Sequence, residues 1–338
     1  MMPESPTHNS ATRTEAELVA RLHPTECAPI FLLGAFRSGT TLLYRMLEET
    51  GCFNITTAYH VLNYRELLTT HAAGRTQAAR EELTRRFREL NLSTRQLDAI
   101  ELSADMPEEY GFALVRELRQ RQINRKSLPK FVELCGKTLA VSESPEKPLL
   151  LKNPWDFDNF QQIRALIPRA RFIFLHRDPI DTVNSQLKAL RQIWHDGNAY
   201  AQMLGGERGK WLDNSVVHAL LSWATDPHSR VRLVERLLVR YATRWTTGYL
   251  DRIAALPKDC YHELRYEDLC RQPNESIRDI MTFLGEQPEN VVDYRDEIAV
   301  RPTNLLPGLL ARKAALQQKF ERYRQAWGYT GTATTARS

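Results

Sequence analysis

Residues 29–41 read PIFLLGAFRSGTT. Ile30 to Leu33 form an unbroken apolar run between a proline and a glycine, which predicts a strand buried on both faces. Gly34 and Gly39 bracket the loop that follows. Leu42, Leu43, Met46 and Leu47 then recur at helical spacing, and Gly51 supplies a stop, so a helix is expected over 41–49. Strand, glycine-bearing loop and helix N-terminus in succession bring consecutive backbone N–H groups and the positive end of a helix dipole to one point. Ser38, Thr40 and Thr41 add hydroxyl donors, and Arg37 adds a forked cation. This stretch predicts an anion site at the end of a strand in an α/β sheet.

The same alternation continues outward. Residues 149–151 (LLL), 171–175 (RFIFL) and 261–266 (YHELRY) are further strand candidates, and 274–284 reads as the helix after the last of them. Continuous apolar strands separated by helical stretches argue for a parallel β-sheet flanked by helices. Between the first two strands lies a long helical insertion, about 67–137, with charged helices near 78–90 and 113–125 and a break at Met106-Pro107. A second insertion, about 193–223, mixes glycines with Trp194, Tyr200, Trp211 and Trp223. An amphipathic helix is expected over 309–327. Residues 1–26 read as a polar tail with one short helix around 15–22, and 331–338 as a C-terminal tail. The expectation is one α/β domain over 27–330 with two helical insertions and no internal repeat.

The chain has 338 residues, of which 42% are hydrophobic and 26% charged, with a formal charge of +5. That is enough apolar material for a core without disulfides, and it excludes wholesale disorder. The basic stretches are interleaved with glutamate at helical spacing, which argues against a nucleic-acid partner and leaves a peripheral membrane contact open. The 5 cysteines are scattered and contain no CxxC pair. Neither a disulfide framework nor a metal site follows from them or from the histidines, so no metal is expected. The N-terminus lacks a signal-peptide pattern, and the early apolar run CAPIFLLGAF is too short to span a bilayer. A cytoplasmic protein is expected. The Asn54, Asn91 and Asn274 matches to the glycosylation pattern are then chance matches.

A second constellation starts at the end of the third strand candidate, where residues 176–185 read HRDPIDTVNS. Asp178 is a good N-cap and Pro179 a good first helical residue. Arg177 thus sits on a strand-to-helix turn, with Ser185 in the early helix, and the two can share a phosphate monoester. The first loop differs from the nucleotide-kinase form GxxxxGK(S/T): Thr40 stands where that lysine pairs with the β- and γ-phosphates, which argues against use of a nucleoside triphosphate.

Together these segments resemble the sulfotransferases that use 3′-phosphoadenosine 5′-phosphosulfate (PAPS), over roughly residues 29–329. Phe36-Arg-Ser-Gly-Thr-Thr41 is similar to the family's 5′-phosphosulfate loop, with Phe36 replacing a common proline. Arg177-Asp-Pro179 and Ser185 are similar to its 3′-phosphate segment. Tyr266-Glu-Asp-Leu269 looks like the segment whose tyrosine lies near the adenine, and Phe283-Leu-Gly285 like the family's following FLG. The resemblance implies a P-loop-nucleotide-kinase-like sulfotransferase fold. Its binding residues would be Arg37, Ser38, Gly39, Thr40, Thr41, Arg177, Ser185 and Tyr266, and the product adenosine 3′,5′-bisphosphate. Lys152, at the end of the second strand candidate, lies where a reactive cation belongs in an open sheet. A similar K-x-P in the family implies that it contacts the transferring sulfuryl group.

The acceptor hydroxyl must lose a proton, and His or Glu is the usual recipient. Related enzymes place a base near His60, while Glu108 and Glu109, in an acidic PxE segment, are rivals for that role. Two other readings stay in play: an ATP-dependent small-molecule kinase, and a non-catalytic nucleotide-binding module of the same fold. The acceptor's identity is not encoded in fold or donor site. The two insertions are expected to build its pocket, and their aromatics suggest an apolar or aromatic acceptor.

Overall fold

The computed structural model describes residues 13–22, 28–92, 94–95, 101–196, 199–205, 233–290, 292–295, 298 and 303–330. Within them, strands β1 (Ile30–Leu33), β2 (Asn54–Ile55), β3 (Leu149–Lys152), β4 (Arg171–His176) and β5 (Tyr261–Arg265) form a five-stranded sheet in the order β2-β3-β1-β4-β5. Every neighbouring pair is parallel. The run of buried apolar residues in the central strands has a direct cause: alternate side chains face opposite sides, and both sides are covered. Phe31, Leu33, Leu151, Phe172 and Phe174 enter one core. Ile30, Leu32, Leu150, Ile173 and Leu175 enter the other.

Register then decides where function can sit. Leu32 lies opposite both Lys152 and Ile173, Leu33 opposite Phe174, and His176 opposite Arg265. The strands therefore end side by side, and Gly34, Asn153, Arg177 and Tyr266 leave the sheet along a single edge. Chain order reverses around β1, which makes that edge the crevice where an open α/β sheet binds ligands.

Helix α1 (Glu15–Val19) precedes β1 and α2 (Thr40–Glu49) follows it. After β2 come α3 (Ala58–Leu62), α4 (Leu67–Ala72), α5 (Thr76–Glu89), α6 (Tyr110–Leu118) and α7 (Leu128–Ala140). Helix α8 (Phe160–Leu166) leads into β4, and α9 (Pro179–Asp196) with α10 (Ala199–Gly205) leads away from it. Helix α11 (Leu233–Arg252) reaches β5. The chain closes with α12 (Tyr266–Arg271), α13 (Pro273–Leu284), α14 (Pro307–Leu310), α15 (Lys313–Lys319) and α16 (Glu321–Ala326). Leu43, Met46 and Leu47 of α2 and Ile277, Ile280 and Met281 of α13 cover one face of the sheet, and most of the remaining helices cover the other.

Several boundaries differ from the sequence reading, each for a local reason. The helix expected over 113–125 starts at Tyr110 and ends at Leu118, because Arg119 turns left-handed (φ 61) and its N–H closes back on Leu114 and Val115. Strand β2 has two residues and no apolar run to announce it; the Asn54 amide fixes it by donating to the carbonyls of Ser144 and Lys147, each at 2.8 Å. The single helix expected over 309–327 is broken at Arg312 and Phe320, whose ψ angles near 13° and 11° leave the helical range. The stretch read as a polar tail is also anchored. Glu15 accepts from the Thr69 N–H at 2.9 Å and pairs at 2.7 Å with Lys137, itself fully buried.

Residues 1–12 and 331–338, the ends of both expected tails, lie outside the described residues, as do Gly206, Gly209, Trp211 and Trp223 of the second insertion. Among the described residues no helix is long and apolar enough to cross a membrane. Cys52, Cys135, Cys260 and Cys270 are buried and form no disulfide among the described residues.

Candidate active site

The loop after β1 is shaped by two residues in left-handed backbone, Arg37 (φ 68) and Gly39 (φ 101). At Gly39 a side chain is excluded twice over. The φ disfavours one, and a Cβ there would lie 2.3 Å from the Tyr266 ring, so that ring lies directly against the loop. Arg37 is an ordinary residue in an uncommon conformation, which persists only where its surroundings hold it. The Arg177 guanidinium donates to the Arg37 carbonyl at 3.1 Å, and the Gln186 amide donates to the Phe36 carbonyl at 2.7 Å. Both partners come from the β4–α9 segment. Phe36, where the resembling family commonly has proline, is thus held by a hydrogen bond from across the crevice.

The two turns also meet through side chains. Arg37 Nε donates to Ser185 Oγ at 3.4 Å. Asp178 Oδ1 accepts the Ile180 N–H at 2.8 Å and caps α9, with Pro179 as its first residue. The Arg177 guanidinium lies over the Tyr266 ring, 4.4 Å from its centroid. Arg37, Arg177, Ser185 and Tyr266, drawn from three strand ends, therefore surround one crevice. Two buried donors in it, Ser38 Oγ and Arg177 Nε, have no hydrogen-bond partner within the described residues. A buried unpaired donor is costly, and two beside a helix N-terminus fit an anion as their missing partner.

Lys152 ends β3 and is 1% exposed. Its ammonium donates to Thr41 Oγ1 at 3.0 Å and pairs with Glu109 Oε1 at 3.0 Å. A buried ammonium needs such partners. The consequence is specific: a cation reaches the first turn of α2 from the neighbouring strand, although Thr40 denies the loop a lysine of its own.

On the other side of Lys152 the candidate bases lie close together. Thr57 bridges Pro107 in antiparallel fashion, and the Glu108 N–H donates to the Thr56 carbonyl at 2.8 Å. This brings the His60 segment and the Glu108–Glu109 segment alongside each other. His60 is the third residue of α3 and closes a capping box: its Nδ1 accepts the Thr57 N–H at 3.0 Å. A neutral imidazole that accepts at Nδ1 carries its proton on Nε2. Burial, reinforced by Arg80, lowers the His60 pKa to about 3, so the ring is neutral. Its Nε2 is buried without a hydrogen-bond partner among the described residues.

Glu108 is fully buried. It accepts from the Tyr200 hydroxyl at 2.5 Å and lies 3.6 Å from Arg95. Burial raises its pKa, Arg95 opposes the shift, and the neighbouring Glu109 adds to it. Glu109 instead faces Lys152. Adjacent carboxylates thus have separate employers. Tyr200, from the second insertion, and Gln186 were not singled out as site residues in the sequence reading. Nothing in their local pattern distinguishes them from ordinary helical side chains. His176 has structural partners, with Nδ1 at 2.6 Å from the Tyr323 hydroxyl and its ring stacked on Trp327.

A model of the sulfotransferase family matches residues 29–213. That span holds the loop, Lys152 and the Arg177–Ser185 segment, and it is more than half of the chain. Among solved structures, the sulfotransferase STF9 from Mycobacterium avium superposes with a TM-score of 0.62 at 17% identity, over 92% of this chain and 80% of that one. The sulfotransferase STF1 from Mycobacterium tuberculosis gives a TM-score of 0.49 at 16% identity, over 86% and 76% of the respective chains. At 17% identity the likeness to STF9 is one of fold. No curated protein matches the chain by sequence.

Proposed function

The chain belongs to the sulfotransferase family, and from that premise we propose that it transfers a sulfuryl group from PAPS to a hydroxyl of an acceptor. The observation that carries the choice of donor is the hydrogen-bonded meeting of the two strand–helix turns, Arg37 with Ser185 and Arg177 with the Arg37 carbonyl. It offers cations and hydroxyls to two phosphate groups rather than one. Arg37, Ser38, Gly39, Thr40 and Thr41 would hold the 5′-phosphosulfate. Arg177 and Ser185 would hold the 3′-phosphate, with Tyr266 against the adenine. Bound PAPS supplies an activated sulfuryl group whose leaving group is a stable phosphate.

The residues of this chain then have two tasks. Sulfuryl transfer, like phosphoryl transfer, depends on positioning and on electrostatic stabilisation of spread negative charge. Lys152 stands beside Thr41 and offers an ammonium from which water is excluded, where it is worth more than in solvent. The second task is removal of the acceptor proton. We assign it to Glu109 rather than to His60. A carboxylate facing Lys152 has lone pairs available at the centre of the site, whereas His60 spends Nδ1 on the α3 cap and presents N–H at Nε2. Glu108, occupied by Tyr200 and Arg95, would anchor the segment that carries Glu109.

The test is transfer of labelled sulfate from PAPS into a pool of hydroxyl compounds, with adenosine 3′,5′-bisphosphate formed in step. Arg37→Ala should abolish it. Phosphorylation of the same pool from ATP, with no sulfate transfer, would overturn the reading.

A further inference from the structure

The last helix and the residues after it contact the turns that follow β4 and β5. Arg324, buried, donates to Asp178 Oδ2 at 2.7 Å and also to the Tyr329 carbonyl. The Tyr329 hydroxyl donates to Glu267 Oε2 at 3.0 Å, and Glu267 Oε1 in turn accepts the Asp178 N–H at 3.4 Å. Arg265 donates to the Trp327 carbonyl at 3.0 Å. Trp327 stacks on His176 with 3.7 Å between ring centroids. These contacts fall on two short segments. His176 and Asp178 are the residues on either side of Arg177; Arg265 and Glu267 are those on either side of Tyr266. In each segment the residue between them turns instead to the crevice, and the two meet there as guanidinium over ring.

We propose that residues 320–329 form a positioning strap for the 3′-phosphate end of the donor site, with Arg324 and Tyr329 fixing Arg177 and Tyr266 through Asp178 and Glu267. Neither Arg324 nor Tyr329 is placed on the ligand. Their effect is to hold two turns from different strands at one separation, so that the Arg177–Tyr266 pair keeps its geometry when the nucleotide arrives. A forked guanidinium recognises a phosphate only in a narrow range of orientations, which is why fixing its backbone matters. The closed circuit Asp178–Arg324–Tyr329–Glu267–Asp178 has the form expected of such a device. Cutting one link should loosen the pair more than the loop after β1, which Ser185 and Gln186 also hold.

This inference rests on the reading of Arg177 as the 3′-phosphate residue, and the test separates the two. Calorimetry would compare adenosine 3′,5′-bisphosphate with adenosine 5′-phosphate on the full chain, for the wild type and for Tyr329→Phe, Arg324→Lys and Arg324→Ala. The wild type should prefer the 3′-phosphorylated nucleotide. Tyr329→Phe removes one oxygen and keeps the packing. It should lower that preference about threefold to tenfold, while affinity for adenosine 5′-phosphate stays near wild type. Arg324→Ala should lose more of it and Arg324→Lys recover part. Thermal unfolding monitors integrity, and Tyr329→Phe carries the test if Arg324→Ala fails to fold. A wild type without preference would overturn the Arg177 reading itself. A preference unchanged in Tyr329→Phe and Arg324→Lys, or an equal loss for both nucleotides, would overturn the strap alone.

Discussion

The crevice has two sides of opposite chemical character. Around the loop after β1 and the turn after β4, the available groups are backbone N–H groups, hydroxyls and the guanidinium groups of Arg37 and Arg177, held to each other by the Arg37–Ser185 and Arg177–Arg37 contacts. Around the Thr57–Pro107 bridge, the available groups are two carboxylates and an imidazole that burial keeps neutral. Lys152 touches both, through Thr41 on one side and Glu109 on the other. The contrast separates the two problems of group transfer. In the proposed reaction, one side would gather negative charge and fix it in place, and the other would receive a proton.

The largest expected effect lies at that boundary. Glu109→Gln should reduce kcat by about 10²–10⁴ with little change in nucleotide affinity, the range for loss of a general base. His60→Gln is its control, because glutamine at the third helical position also completes a capping box. The His60→Gln enzyme should keep kcat near wild type. A dead His60→Gln beside an active Glu109→Gln would return the base to the imidazole and blur the division drawn above. On the donor side, Arg177→Ala should weaken adenosine 3′,5′-bisphosphate binding by about 1.5–3 kcal/mol, roughly ten- to a hundredfold. Affinity for adenosine 5′-phosphate should fall by less, because Arg177 also holds the Arg37 carbonyl of the loop.

The geometry of the crevice's cationic side was legible in the sequence because its groups sit in short contiguous stretches. Gly34 to Thr41 and Arg177 to Ser185 each carry a strand end, a turn and a helix start within a few residues, and turn chemistry is local. The strand pattern was readable for the same reason: a strand buried on both faces is a run, as in 171–175. The acceptor side is assembled from residues far apart in the chain. Lys152 and Glu109 meet because β3 lies beside β1 and α6 starts above it, which no local pattern states. Tyr200 reaches Glu108 across 92 positions. Which ring nitrogen of His60 accepts the Thr57 N–H is likewise a matter of α3 geometry. The contacts of residues 320–329 with the β4 and β5 turns have no signature in 309–327, whose pattern is that of one amphipathic helix; the breaks at Arg312 and Phe320 redirect α16.

Two smaller effects sharpen the acceptor side. Burial depresses the folded-state pKa of His60 to about 3 and holds that of His176 well below its ordinary value, so each ring binds a proton more readily when unfolded. For such a group the stabilisation is complete above the unfolded value, near 6.5, and is lost as pH falls toward the folded value. Stability should therefore decline below about pH 6.5, each histidine contributing up to about 1.4 kcal/mol per pH unit. His60→Gln should make that decline shallower in denaturant titrations at pH 7, 6 and 5, and an identical slope would contradict the burial argument. Tyr200→Phe removes the hydroxyl that Glu108 accepts from and should cost roughly 0.5–1.5 kcal/mol of stability by the same titration. A loss of kcat comparable to that of Glu109→Gln would instead draw Tyr200 into the proton path.

The central claim is that the crevice is built for a nucleotide carrying phosphates at both ends of its ribose. Calorimetry on the wild-type protein without metal, with adenosine 3′,5′-bisphosphate against ADP, tests it most directly. The account predicts tighter binding of adenosine 3′,5′-bisphosphate, by about tenfold or more, and a preference that disappears in Arg177→Ala. Equal affinities, or a preference for ADP that strengthens when Mg²⁺ is added, would contradict it.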